Sequence, residues 1–148
     1  MTEPNQTADT PRTNREYAVV HLDDDRQFLT LTEQLLGRYA PALRYRGVTT
    51  VDELEQRLAD VDADCVVVDH GRRGVDAAAV LASPAVTTVP VVVFGDPDVP
   101  RDETVREVAD ASVRKGRGLE PFERLAATLR RVTGAGSTDA EEPTVGAE

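Results

Sequence analysis

Asp64-Cys65-Val66-Val67-Val68-Asp69-His70-Gly71 is the stretch whose reading decides the fold. Cys65 to Val68 is an unbroken apolar run rich in β-branched residues. It has the character of a strand buried on both faces, which in an alternating α/β chain means a central parallel strand. Asp69 stands at its carboxyl end. A carboxylate there is either the first solvated residue of a loop or a reactive group held at the rim of a sheet. The flanking sequence separates the two.

Upstream, Tyr17-Ala18-Val19-Val20-His21-Leu22 reads as a first strand that stops at Asp23-Asp24-Asp25. From Phe28 the apolar spacing turns helical, with Phe28, Leu29, Leu31, Leu35 and Leu36 on one face and an aspartate of the triplet placed to cap it. Leu43 to Val48 alternates, as a half-exposed edge strand does. Thr50-Val51-Asp52-Glu53 is a capping box, and Val51, Leu54 and Leu58 follow on one face. Downstream, Gly74-Val75-Asp76 leads into a short Ala-rich helix, Ala77 to Leu81, closed by Pro84. Pro90 opens a fourth strand, Val91 to Phe94, which Gly95-Asp96-Pro97-Asp98 breaks. A weak helix over about Asp102 to Ala109 precedes a brief fifth strand, Ala111 to Arg114, ending at Lys115. Phe122, Leu125, Ala126 and Leu129 then mark a terminal helix.

Five strands alternating with five helices predict a doubly wound parallel sheet, since short right-handed crossovers place a helix between successive strands. A polar second strand and buried third and fourth strands fit the order 2-1-3-4-5. Strands one and three then flank the topological switch point, where a crevice opens at the carboxyl ends. Asp23, Asp24 and Asp69 fall on its rim, and the next strands bring Gly95 and Lys115 to it.

Composition bounds the function. The 148 residues are enough for one ordinary domain. Residues 1–16 and 133–148 are polar and aperiodic, so both are expected to be disordered tails around a folded unit at 17–132. A formal charge of -10 argues against nucleic-acid or anionic-membrane surfaces. Sixteen of the seventeen basic residues are Arg, and with the acidic surplus this composition looks like halophilic adaptation to high salt. Cys65, the single cysteine, is expected to be a small buried hydrophobe. With no apolar run approaching the roughly 18 residues of a membrane span and no basic-then-apolar leader, a cytoplasmic location is expected.

Three carboxylates within a few ångströms repel one another, and a hard divalent cation relieves this. Mg²⁺ binds through one or two carboxylates while keeping several waters, which suits an open rim. Carboxylates also act as nucleophiles toward phosphorus, a transfer that needs positioning and neutralisation of the phosphoryl oxygens. Lys115, the only lysine in an arginine-rich chain, would supply a compact positive charge. His21 is expected to be a core or sheet-face residue. His70, Arg72 and Arg73 are expected in the loop at the crevice mouth.

In order and interval, Val20-His21-Leu22-Asp23-Asp24-Asp25, Val66-Val67-Val68-Asp69 with Gly74-Val75-Asp76, Pro90-Val91-Val92-Val93-Phe94 and Arg114-Lys115 resemble the receiver domain of two-component response regulators. The resemblance spans roughly Tyr17 to Val132. It implies that Asp69 is the phospho-accepting aspartate, that Asp23 and Asp24 bind Mg²⁺ together with Asp69 and the backbone carbonyl of Gly71, and that Lys115 contacts the phosphate. It also implies a histidine kinase as phosphodonor and an unknown downstream protein as partner, with the chain a monomer or weak homodimer. Any catalysis would be limited to its own phosphorylation and dephosphorylation. The length leaves no room for an output domain, so a stand-alone receiver is expected.

The chain departs from the family pattern at three places. Gly95 stands where Ser or Thr is usual, Ser112 where an aromatic residue is usual three before the lysine, and Gly116 where proline commonly follows it. Two readings therefore compete: a phosphoryl-accepting signalling receiver, and a degenerate receiver-like module kept for protein contact. A flavodoxin-like binder of a phosphate-bearing cofactor is disfavoured, because the first turn carries carboxylates where such a ligand wants glycines and exposed amides.

Overall fold

The buried run around Val67 is the middle of a five-stranded parallel sheet with strand order β2-β1-β3-β4-β5. The computed structural model describes residues 16–70, 77–95 and 108–135. The strands are β1 (Tyr17–Leu22), β2 (Leu43–Val48), β3 (Cys65–His70), β4 (Val91–Gly95) and β5 (Ala111–Arg114). The helices are α1 (Arg26–Tyr39), α2 (Val51–Asp60), α3 (Ala77–Leu81) and α4 (Glu120–Thr133). The five expected strands, their order and four of the five expected helices are thus observed. The helix expected over about Asp102 to Ala109 falls largely outside the described residues, as do Gly74-Val75-Asp76.

Strand alternation divides the interior into two layers. Val19, Cys65, Val67, Val92, Phe94 and Val113 face one way, onto Leu35 and Leu36 of α1 and Phe122, Leu125 and Leu129 of α4. Val20, Leu22, Val66, Val68, Val91 and Val93 face the other way, onto Leu54 of α2 and Val80 and Leu81 of α3. Val66, Val67 and Val68 are all fully buried, as a strand covered on both faces requires. Each such side chain contributes about 1.5–3 kcal/mol relative to an exposed one. Cys65 lies in the same interior, and burial pushes its thiol up to about 12, so it behaves as an inert hydrophobe.

Helix starts follow the sequence closely. Asp25 caps α1, its side chain accepting from the Phe28 amide at 3.1 Å. Thr50 caps α2 by accepting from the Glu53 amide, but the Glu53 carboxylate reaches one residue further back than in a simple capping box, to the Thr49 amide and hydroxyl. Two face assignments need correction. Leu31 is 43% exposed and Thr32 takes the buried position instead, its hydroxyl satisfied by the Phe28 carbonyl at 2.8 Å. Val51, in the first turn of α2, is 39% exposed, and Leu54 is the fully buried residue of that helix. At the other end of the chain α4 closes on Gly134 in the left-handed conformation, φ 94°, and Ala135 beyond it is buried.

Candidate functional site

The strand parity that builds the α1/α4 layer also builds the site. Asp23 continues the His21 row one step past β1, Asp69 continues the Val67 row at the end of β3, and Lys115 continues the Val113 row past β5. All three therefore rise from one face of the sheet at its carboxyl edge. Lys115 Nζ donates to Asp69 Oδ1 at 2.7 Å and to Asp23 Oδ2 at 3.0 Å. Carboxylate oxygens of Asp23, Asp24 and Asp69 lie within 4.8 Å of one another. The five residues expected at the rim include Asp24, which is exposed, and Gly95, half-buried as the last residue of β4.

Backbone contacts hold the cluster in place. The Asp23 amide donates to the Val48 carbonyl at 3.1 Å, and Asp23 Oδ1 accepts from the Asp25 amide at 2.9 Å. This leaves Oδ2 for the lysine. The Lys115 amide donates to the Gly95 carbonyl at 2.7 Å, so the register of β4 against β5 fixes where the lysine side chain begins. Asp23 and Asp69 are almost fully buried, at 2% and 4% exposure, while the Lys115 side chain keeps 23%.

Three carboxylates facing one ammonium leave the pocket with surplus negative charge. Burial raises the pKa of Asp69; the Lys115 hydrogen bond and charge oppose this, and Asp23 and Asp24 add to it. For Lys115, burial pulls the pKa down, but the Asp69 hydrogen bond and the charges of Asp23 and Asp69 outweigh it, and the net direction is upward. Both groups hold protons more tightly than in water, Asp69 chiefly because it is buried and Lys115 because carboxylates surround it, and the cluster keeps more negative than positive charge. A divalent cation on these oxygens would supply the missing positive charge, and an all-oxygen donor set suits Mg²⁺.

Beneath the pocket lies an aromatic floor that the sequence did not point to. His21 is fully buried, as expected for a core histidine; its Nδ1 shares a 2.7 Å hydrogen bond with the Tyr45 hydroxyl and its Nε2 has no partner among the described residues. Burial, reinforced by the Lys115 charge, lowers its pKa to about 3. The three phenylalanines of the chain, Phe28, Phe94 and Phe122, pack with ring centroids 5.6–5.8 Å apart. Phe94 was legible as a strand residue and Phe122 as a helix residue. Their meeting with Phe28 below the lysine follows only from the parity shared by Val19, Val67 and Val92.

Gly71, Arg72 and Arg73 lie outside the described residues. His70 is the last residue of β3, opposite Gly95 in the register, rather than a loop residue. Ser112 is exposed on β5 opposite Val93. Gly116 stands with space for a Cβ, the nearest atom being Pro121 Cγ at 3.5 Å.

No protein-family model matches the sequence, and no curated protein matches it. Solved structures do match the fold. The signal receiver domain of a DNA-binding response regulator from Colwellia psychrerythraea is 18% identical, with a TM-score of 0.63 over 80% of this chain and 99% of that one. The chemotaxis response regulator CheY4 of Vibrio cholerae is 14% identical, with a TM-score of 0.63 over 79% of this chain and 98% of that one. A response regulator receiver protein from Burkholderia phymatum is 27% identical, with a TM-score of 0.56 over 80% and 96%. The doubly wound sheet is thus the receiver-domain fold of response regulators, and the acidic cluster lies at its switch-point rim. Among the described residues no helix is long and apolar enough to cross a membrane.

Proposed function

We propose that this chain is a phosphoryl-accepting receiver in which Asp69 takes a phosphoryl group from a histidine kinase in the presence of Mg²⁺. The observation that carries the reading is the convergence of Asp23, Asp24 and Asp69 with Lys115 at the carboxyl edge of a receiver fold. In the transfer, an Asp69 oxygen forms a bond to phosphorus as the phosphorus–nitrogen bond of a phosphohistidine breaks. The ring nitrogen keeps the electron pair and takes a proton from water. Little else is asked of the protein than alignment and neutralisation of the phosphoryl oxygens. Asp23, Asp24 and Asp69 would hold Mg²⁺, which supplies positive charge to those oxygens, and Gly71 is the further ligand proposed. Lys115, already bonded to Asp69, supplies the second positive charge on a stem anchored at β4.

Signalling would then pass by protein contact in the cytoplasm. A groove of about 540 Å³ beside the site is lined by Arg114, Lys115, Arg117 and Arg124 and by one acidic residue, Glu120, which pairs with Arg124 at 3.8 Å, so the lining is net positive. Its basic lining on a chain of net charge -10 suits an acidic partner surface. The second reading, a protein-contact module without productive transfer, draws on Gly95 and Ser112, which offer neither a hydroxyl at the end of β4 nor an aromatic ring on β5.

Incubation with acetyl phosphate and Mg²⁺ followed by mass spectrometry tests the proposal. A gain of one phosphoryl group that disappears in Asp69→Asn supports it. No gain under conditions where Mg²⁺ binds supports the module instead.

A further inference from the structure

Lys115 is held from two sides. Its ammonium meets Asp69 and Asp23 on one, and on the other it lies 4.5 Å from the centroid of the Phe28 ring and 5.9 Å from that of Phe94. Both distances are within reach of a cation–π attraction, which strengthens as water is excluded. Phe28 sits in the first turn of α1, and its amide is bonded to Asp25 of the acidic turn, so the ring is tied to the carboxylate side of the pocket as well. The same ring packs on Phe122, in the first turn of α4, at 5.6 Å. Gly95 contributes no side chain, and Lys115 is the group that joins the carboxylates to the rings.

We infer that Phe28 is a positioning residue: its ring face holds the Lys115 ammonium over the acidic pocket and passes any displacement of that ammonium to α1 and α4. The inference deepens the phosphoryl-acceptor reading and rests on it for its consequence, since a phosphoryl group on Asp69 would draw the lysine away from Asp23 and change its seat on the ring. Leucine would keep the apolar volume of Phe28 and lose the π face. Tyrosine would keep the face.

Lys115 is the only lysine of the chain, so isotope-labelled lysine gives one side-chain signal in an NMR spectrum of the full protein. In wild type that signal is expected upfield of free lysine through the ring current, with a nuclear Overhauser contact to the Phe28 ring. Phe28→Tyr retains the upfield position. Phe28→Leu moves it toward the free value, leaving only the weaker effect of Phe94, and weakens beryllofluoride binding in Mg²⁺ roughly 3- to 30-fold. In wild type, beryllofluoride moves the Lys115, Phe28 and Phe122 signals together. A Lys115 signal at the free value in wild type overturns the inference, as does Phe28→Leu leaving both signal and affinity unchanged. If Phe28→Leu does not fold, the wild-type contact decides: its presence supports the inference and its absence ends it. If beryllofluoride does not bind wild type while the ring-shifted signal stands, the phosphoryl reading falls and the positioning contact is upheld.

Discussion

The Asp69 carboxylate and the Lys115 ammonium meet at 2.7 Å across 46 residues of sequence, and the second carboxylate on the same ammonium, Asp23, is 92 residues away. Such long-range pairs form only when β1, β3 and β5 are all seated, so the site reports on the integrity of the whole sheet. They are also unequal partners, since Asp24 adds a third negative charge that nothing in the cluster balances.

That imbalance predicts opposite effects for two substitutions. Lys115→Met leaves Asp23 and Asp69 buried against each other without a counter-charge and should cost about 1–3 kcal/mol. Asp69→Asn keeps the shape and removes one of the surplus charges, so it should lie within about 1 kcal/mol of wild type or above it. Mg²⁺ at a hundred times its dissociation constant should add about 2.7 kcal/mol to wild type and less to Asp69→Asn. Urea unfolding with and without Mg²⁺ measures all three. An Asp69→Asn loss as large as that of Lys115→Met would show that the ion pair outweighs the charge surplus.

His21 should give the acid limb of stability a recognisable slope. Its ring titrates near 6.5 when exposed and near about 3 when folded, so between those values the unfolded chain takes up a proton that the folded one refuses. The stability tied to this group is fully present above pH 6.5 and is lost as pH falls, by on the order of 5 kcal/mol at the acid end. His21→Gln can keep a hydrogen bond to Tyr45 and cannot titrate. Its stability should therefore fall less than that of wild type between pH 6.5 and 5, above the range where the carboxylates dominate. Parallel curves for the two proteins would rule out this origin.

Two glycines should respond to alanine with opposite signs. A Cβ on Gly47 would stand 3.0 Å from Leu29 Cβ and 3.2 Å from both Leu29 methyls, and Leu29 cannot retreat because it packs α1 onto the sheet. Gly47→Ala should cost about 1–3 kcal/mol by overpacking. Gly37 lies exposed inside α1 with no atom within 4 Å of a new Cβ, so Gly37→Ala should add about 0.5–1 kcal/mol through helix propensity. Thermal melts of the two variants decide it. A stable Gly47→Ala would mean that α1 can shift on β2.

Much of this was legible because buried parallel strands write themselves as apolar runs. Val66 to Val68 and Val91 to Phe94 admit few other readings, and each is followed by the residue that reaches the rim. The acidic turn was legible for a second reason, that Asp25 is a helix cap whatever else the triplet does. Helix faces were less secure. Leu31 and Thr32 both fit the periodicity, and only the position of α1 on the sheet decides that the threonine goes inside with its hydroxyl bonded to the turn below. The aromatic floor was hidden because His21, Phe28, Phe94 and Phe122 sit on four different elements, and no local pattern links them.

Gly95 bears on how the site is read out. It ends β4 with its carbonyl bonded to the Lys115 amide, directly opposite His70 and Arg114 in the register. If the missing hydroxyl limits the conformational response, Gly95→Thr should enlarge the difference in amide exchange between the free protein and its beryllofluoride complex, and the added protection should spread into β5 and α4. The Lys115 amide bond should be unaffected, because it uses the backbone of residue 95 and not its side chain. An exchange difference equal to that of wild type would mean that the response does not run through this position, and would leave the contact between Lys115 and the phenylalanine cluster as the route from Asp69 to the helices.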